Sequence, residues 1–370
     1  MGELTYDVLV VGAGPAGAVA AARLAAQGHA VVVVEASGEG GKLLCAGWLN
    51  AKAKPLLLEL KIPLKDIGAR PFRSVTFYNV DFSKSAVPHF AEAPGYLIER
   101  ARLDKRLVRA ATDAGATLIE GRRVTDVALG ELLVTLQLDE GEPLQGRLLI
   151  VAAGRGSELL ERLQLGPGAF PAGWWAAHVD ADNVVTKGEP RFAIVLGLDE
   201  LGGFGMITAG NGRASVGVQM AAGKDKVVPA IIRLCTQAVE HGILSVDLCE
   251  QAARAQVIMT PAAVALAMDT HVAKRALMVG DAGGFVSATS GEGIYPAMWS
   301  ARIAAEVIHQ ALEDPSPQDV LMGFDTRWRT QMADHLRAPG TDTQYILPLV
   351  FSNQPMADRM GAAFFCGENI

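Results

Sequence analysis

Three glycines spaced as Gly12-x-Gly14-x-x-Gly17, an acid at Glu35 and a second acid at Asp281 are the residues whose types and spacing could do chemistry in this chain of 370 residues. In such a turn the first glycine lets the chain leave a strand, the second lets backbone approach a pyrophosphate, and the third lets a helix pack closely on the sheet. The helix start that follows offers free N–H groups and a positive dipole end to phosphate. Glu35 follows Gly17 by about 20 residues, the separation from which a carboxylate accepts hydrogen bonds from a ribose diol. Together they recognise a dinucleotide.

The positioning elements surround these residues. The β-branched run 6–11 predicts a strand, 18–27 an alanine-rich helix stopped by Gly28, and 30–34 a second strand ending on Glu35. The glycine-rich segment 36–50, with Cys45, Ala46 and Gly47, reads as a loop. A helix is expected over 52–60, then a hairpin from 73–78 and 80–90 that interrupts the nucleotide-binding part. Arg100 opens a helix with Leu103, Leu107, Val108 and Ala111 on one face. Strands are predicted at 116–120, 124–128, 132–138 and 144–152. After the stiff crossing 166–171, the stretches 174–181, 191–198, 203–209 and 213–220 alternate like strands of an antiparallel sheet, followed by a helix at 228–241. A buried strand at 276–280 then delivers Asp281 at its carboxyl end, where ligands of open α/β sheets sit. The turn Gly291-Glu292-Gly293-Ile294 precedes a helix from about Ala297 to Leu312.

Composition narrows the class. Hydrophobic residues make up 50% and charged residues 20%, as in a globular protein, and the net charge of −7 comes without a Lys/Arg cluster, which argues against a nucleic-acid partner. Cys45, Cys235, Cys249 and Cys366 form no CxxC pair and the histidines are scattered, so a reduced, cytoplasmic protein with no metal site is expected. The first apolar run lacks a basic leader and reads as a core strand. No stretch approaches the ~20 apolar residues of a membrane span.

Val11-Gly12-Ala13-Gly14-Pro15-Ala16-Gly17, Arg100-x-x-Leu103-Asp104-x-x-Leu107, and Gly280-Asp281-Ala282-x-Gly284 with Gly291-Glu292-Gly293-Ile294 resemble, in order and spacing, the flavoprotein oxidoreductases of geranylgeranyl reductase type, relatives of the aromatic-hydroxylase fold. The loop from Lys42 to Trp48 is similar to that family's Cys-Gly-Gly segment. The resemblance covers roughly residues 4–310. It implies a doubly wound, Rossmann-type α/β domain that binds FAD, assembled from 1–72, 97–165 and 275–312. An inserted antiparallel-sheet substrate domain would comprise 73–96 and 166–274, and 313–370 a C-terminal helical segment. It further implies that Ala16, Glu35, Cys45, Ala46, Gly47, Arg100, Val124, Asp281, Gly293 and Ile294 contact FAD, with Arg100 supplying positive charge and Val124 meeting the adenine.

The implied activity is hydride delivery from flavin N5 to a carbon–carbon double bond of an apolar, isoprenoid-type substrate. By residue type the proton donor is open among Cys45, Tyr295 and His178. The alternative on the same fold is a monooxygenase or halogenase acting through an oxygen adduct at flavin C4a; a non-catalytic electron-transfer flavoprotein is the rival from another class. Several departures bear on this choice. Ala152-Ala153-Gly154-Arg155 lacks the family's Asp-Gly pair, and Phe204 alone survives of a Tyr-x-Trp-x-Phe-Pro motif. Ser287-Ala288-Thr289 stands where Asn-Pro is usual. With one nucleotide fingerprint, reduction must come from transiently bound NAD(P)H or a carrier such as ferredoxin. The apolar tail 345–351 reads either as core packing or as a membrane-surface or substrate-entrance segment.

Overall fold

Val8 to Val11 and Val31 to Val34 are buried throughout, the pattern of central strands in a parallel sheet covered on both faces. The computed structural model describes residues 5–37, 45, 47–155, 159–163, 174–184, 190–199, 202–210, 212–221, 223–341 and 343–368. It places these runs in β1 (Thr5–Val11) and β2 (Val31–Glu35), joined by α1 (Pro15–Ala26). The chain continues through β3 (Trp48–Asn50), α2 (Ala53–Glu59), β4 (Arg70–Phe72), β5 (Ser74–Tyr78), β6 (Ser85–Ala86) and β7 (Gly95–Leu97) to α3 (Arg100–Asp113). Next come β8 (Thr117–Glu120), β9 (Val124–Leu129), β10 (Val134–Leu138), β11 (Leu144–Val151) and the short α4 (Leu159–Arg162). The middle of the chain forms β12 (Trp175–Asp182), β13 (Arg191–Leu196), β14 (Phe204–Gly210), β15 (Arg213–Met220), α5 (Val227–Glu240), α6 (Cys249–Ala253) and β16 (Ile258–Met259). It closes with β17 (Val272–Ala273), β18 (Ala276–Met278), α7 (Ile294–Glu313), α8 (Pro317–Leu336), α9 (Thr343–Val350) and α10 (Gln354–Cys366).

The nucleotide sheet runs β17-β18-β11-β1-β2-β8, with the β9–β10 hairpin attached to β11. The pairs β18/β11, β11/β1, β1/β2 and β2/β8 are parallel, so the loops carrying the glycine turn, Glu35 and Asp281 emerge at one edge. Alanines of α1 let that helix lie close to the sheet, with α7 and α8 packed in the same core. The second sheet runs β16-β12-β15-β14-β13-β5-β6, and a small third sheet runs β3-β7-β4. The architecture is the expected doubly wound α/β fold with an added, largely antiparallel sheet.

Three local expectations are corrected. Residues 48–50, read as loop, form β3, because pairing of Trp48 with Leu97 satisfies the backbone and Trp48 packs edge-on against Phe365 at 5.3 Å. The hairpin return over 80–90 shrinks to β6: Phe82 takes a left-handed φ of 59° and Pro88 has no N–H for a ladder. The strand β5 joins β13 in parallel, so the second sheet is mixed. In the tail, Ile346 and Val350 pack with Phe364 and Phe365 in the core on the second sheet, while Tyr345 and Leu349 remain exposed. Among the described residues, no helix is long and apolar enough to cross a membrane.

Candidate functional site

At Gly12 and Gly17 backbone meets backbone. Gly12 has a φ of +98°, and a Cβ there would sit 2.3 Å from the Ala152 carbonyl oxygen; one at Gly17 would sit 1.8 Å from that of Gly12. Gly14 differs. It is the N-cap of α1, no side chain caps the helix, and nothing lies within 4 Å of the point a Cβ would take. The first turn of α1 thus presents backbone N–H groups to open space, as an anion site requires. Glu35 accepts a 2.6 Å bond from the Ala13 N–H on one carboxylate oxygen, and bonds of 2.8 and 2.6 Å from the Ser37 N–H and hydroxyl on the other. Val124 is buried at the start of β9, just beyond Arg122, whose N–H donates to the Glu35 carbonyl at 3.1 Å.

The second half of the site is brought against the first by two small residues. Ala16 on α1 is buried, and its Cβ lies 2.9 Å from where a Cβ at Gly280 would fall, so α1 and the turn holding Asp281 nearly touch. Asp281 Oδ1 in turn lies 3.1 Å from the Cβ position of Gly293, the N-cap of α7, whose first residue is Ile294. Burial pushes the Asp281 carboxyl up to about 6, against the opposing pull of Arg100 and Arg155 and with a further push from Glu292. Arg100 is held above its ordinary range: burial opposes the charge, but Cys45 and Asp104 outweigh it. Its Nε donates to Asp104 at 2.8 and 3.0 Å. The Gly47 N–H points at Cys45 Sγ at 3.4 Å, and the Gly47 carbonyl accepts from Ile98 at 2.7 Å. Ala46 lies outside the described residues.

One face of the second sheet, apolar over β13 and part of β14 and polar toward β12 and β15, borders this cluster. Alternation places His178 and Asp180 of β12, Ser215, Gly217 and Gln219 of β15 and Thr208 of β14 on one face, opposite the residues packed on α5. Gln219 Oε1 lies 2.6 Å from the Cβ position of Gly291, and at the other end Leu97 Cδ1 lies 3.0 Å from that of Gly210. The face therefore spans from the Gly291-Glu292-Gly293 turn to the strand beside the Cys45 loop. Within it His178 Nε2 lies 2.5 Å from Ser215 Oγ, and Nδ1 lies 3.3 Å from Asp180 Oδ2.

The family model described as FAD binding domain matches residues 5–336. The chain belongs to this family. FAD is the cofactor of this flavoprotein oxidoreductase. Digeranylgeranylglycerophospholipid reductase 2 of Methanopyrus kandleri is 27% identical over 344 residues, spanning 89% of this chain and 83% of the relative. A geranylgeranyl bacteriochlorophyll reductase-like protein from Thermoplasma acidophilum superposes with a TM-score of 0.75 at 19% identity, covering 98% of this chain and 96% of that one. A flavin-dependent brominase gives a TM-score of 0.73 at 18% identity, over 98% and 93%. Both superpositions describe the fold.

The residues present fit FAD. Gly14 leaves a cradle that a Cβ would fill, Glu35 retains acceptor capacity because a carboxylate accepts about four hydrogen bonds, and Asp281 is a recessed acid whose charge gains from hydroxyl donors. Sequence reasoning passed over Arg155, which follows the carboxyl end of β11, and Gln219, which period-two alternation alone places on the face with Ser215.

Proposed function

We propose that this FAD-dependent oxidoreductase reduces a carbon–carbon double bond of an apolar, isoprenoid-type substrate. The observation that carries the reading is the alignment with the Methanopyrus reductase, which extends over 89% of this chain and so takes in the second sheet as well as the cofactor motifs. Flavin N5, when FAD is bound, supplies the hydride. In this reading 1–72, 97–165 and 275–312 form the cofactor domain, 73–96 and 166–274 hold the substrate, and 313–370 is the C-terminal segment. Gly12, Gly14, Ala16, Gly17, Glu35, Cys45, Ala46, Gly47, Arg100, Val124, Asp281, Gly293 and Ile294 line the cofactor. Of the three candidate proton donors, His178 is the one whose setting suits the task, since it reaches Ser215 on one ring nitrogen and Asp180 on the other. Cys45 is engaged with Gly47 and Arg100, and burial pushes the Tyr295 phenol far up. Electrons arrive from transiently bound NAD(P)H or from a carrier such as ferredoxin.

The test is anaerobic. Photoreduced holoprotein mixed with a detergent-dispersed digeranylgeranylglycerophospholipid should reoxidise and yield a product heavier by two hydrogens. No reoxidation by the lipid under these conditions, together with a hydroxylated product in a parallel air-saturated mix, would move the protein to the oxygenase reading.

A further inference from the structure

The acid in the turn before α7 is not a solvated charge. Glu292 is 6% exposed, and so is His335 in the last turn of α8. One Glu292 carboxylate oxygen accepts a 2.7 Å bond from the Tyr295 N–H in the first turn of α7. The other, Oε2, is buried, makes no hydrogen bond among the described residues, and lies 3.6 Å from His335 Nε2. Both imidazole nitrogens are buried and equally without hydrogen bonds there. The ring is walled by Tyr295, with centroids 5.1 Å apart, by Trp299 at 6.3 Å, and by Gly367 at the end of α10, where a Cβ would fall 2.0 Å from Nδ1.

An isolated carboxylate this deep is costly. A buried pair is tolerated when its members compensate each other. A carboxylate beside an imidazolium and a carboxylic acid beside an imidazole are both neutral as pairs. The other ionisable groups nearby include the Tyr295 phenol, kept neutral by burial and by Glu292 against the opposing pull of Arg302, and Asp281, which senses Glu292 with Arg100 and Arg155 beyond it. The α10 side contributes the Gly367 backbone.

We propose that Glu292 and His335 form a charge-neutral pair that keeps the N-terminus of α7 electropositive toward the flavin ring, so that His335 acts as a positioning residue that raises the flavin reduction potential. The inference rests on the reading that puts Gly293 and Ile294 against FAD. A helix N-terminus favours the electron-rich reduced ring. A bare carboxylate in the same turn would cancel that advantage.

Spectroelectrochemical titration of the FAD-loaded protein between about pH 6 and 9, across the imidazole range, tests the pair with His335→Gln, Glu292→Gln, the double variant and Asp281→Asn. His335→Gln should lower the reduction equilibrium at least about tenfold at the alkaline end, ~30 mV for a two-electron couple. The double variant should return to the wild-type potential, which damage to packing would not do. Should His335→Gln fail to hold FAD, Glu292→Gln decides alone: its potential must equal or exceed wild type, and a lower one overturns the pair. Asp281→Asn reports on the placement itself. If it shifts the potential or releases FAD while His335→Gln changes nothing, the placement stands and the pair falls; if neither moves, both fall.

Discussion

The Glu35 carboxylate accepts a 2.6 Å hydrogen bond from the backbone N–H of Ala13, tying the end of β2 to the glycine turn after β1. The same acid that would hold a ribose therefore also shapes the phosphate turn. Removing it should affect FAD binding twice. Hydrogen bonds to charged groups contribute about 1.5–3 kcal/mol each, so Glu35→Ala should raise the FAD dissociation constant about 10- to 100-fold. Glu35→Gln, which keeps one carbonyl acceptor, should lose less. Titration of apoprotein with FAD, followed by flavin fluorescence, measures both, and unchanged affinity in Glu35→Ala would remove Glu35 from the site.

The three glycines predict opposite failures. A Cβ at Gly12 or Gly17 would fall 2.3 or 1.8 Å from a carbonyl oxygen. Gly12→Ala and Gly17→Ala should therefore lose more than about 3 kcal/mol of stability, a loss reserved for specific clashes and strain. At Gly14 nothing lies within 4 Å. Gly14→Val should fold with little change in melting temperature and purify colourless, because its side chain fills the space for pyrophosphate. A yellow Gly14→Val protein would mean the central motif is misread.

These contrasts show what the sequence carried. The glycine spacing, Glu35 and the acid ending a buried strand are local signals, and each lands at the same sheet edge. The elements that escaped depend on distant partners. Trp48 to Asn50 becomes a strand only because Gly95 to Leu97 pairs with it, and its glycine-rich approach carries no strand pattern. Arg155 acts on Asp281, and His335 lies 3.6 Å from Glu292, across separations that no periodicity reports. The polar row of His178, Ser215 and Thr208 required knowing which face of the second sheet turns away from α5.

Asp281 makes the apoprotein pH-sensitive. Burial pushes its carboxyl up to about 6, above the ordinary value near ~4. The folded state thus holds the proton more tightly than the unfolded one, and apoprotein stability falls as pH rises through that window, by at most ~3 kcal/mol. Asp281→Asn should abolish this slope and leave the apoprotein more stable at neutral pH, while binding FAD more weakly if Asp281 contacts the cofactor as proposed. Denaturant melts at about pH 4 and pH 7 measure the slope. An identical slope in Asp281→Asn would assign it to another group.

His178 and Ser215 carry the last prediction. The 2.5 Å contact between them, with Asp180 3.3 Å from the far ring nitrogen, allows an imidazolium to pass its proton through the serine hydroxyl while Asp180 steadies the remaining N–H. Burial holds His178 below its ordinary range, with Asp180 opposing and Arg213 adding to the depression. The proton-bearing form therefore grows as pH falls below about 6.5. Substrate-driven reoxidation should accelerate in that direction, whereas photoreduction and FAD content should not change. His178→Gln and Ser215→Ala should each slow that reoxidation by about 10²–10⁴, the usual reach of a positioned general acid. Asp180→Asn, which removes the countercharge, should push the pH dependence further toward acid. Rapid-mixing traces across pH decide the matter: a rate that is flat with pH and equal in wild type and His178→Gln would exclude the imidazole and return the role to Cys45 or Tyr295.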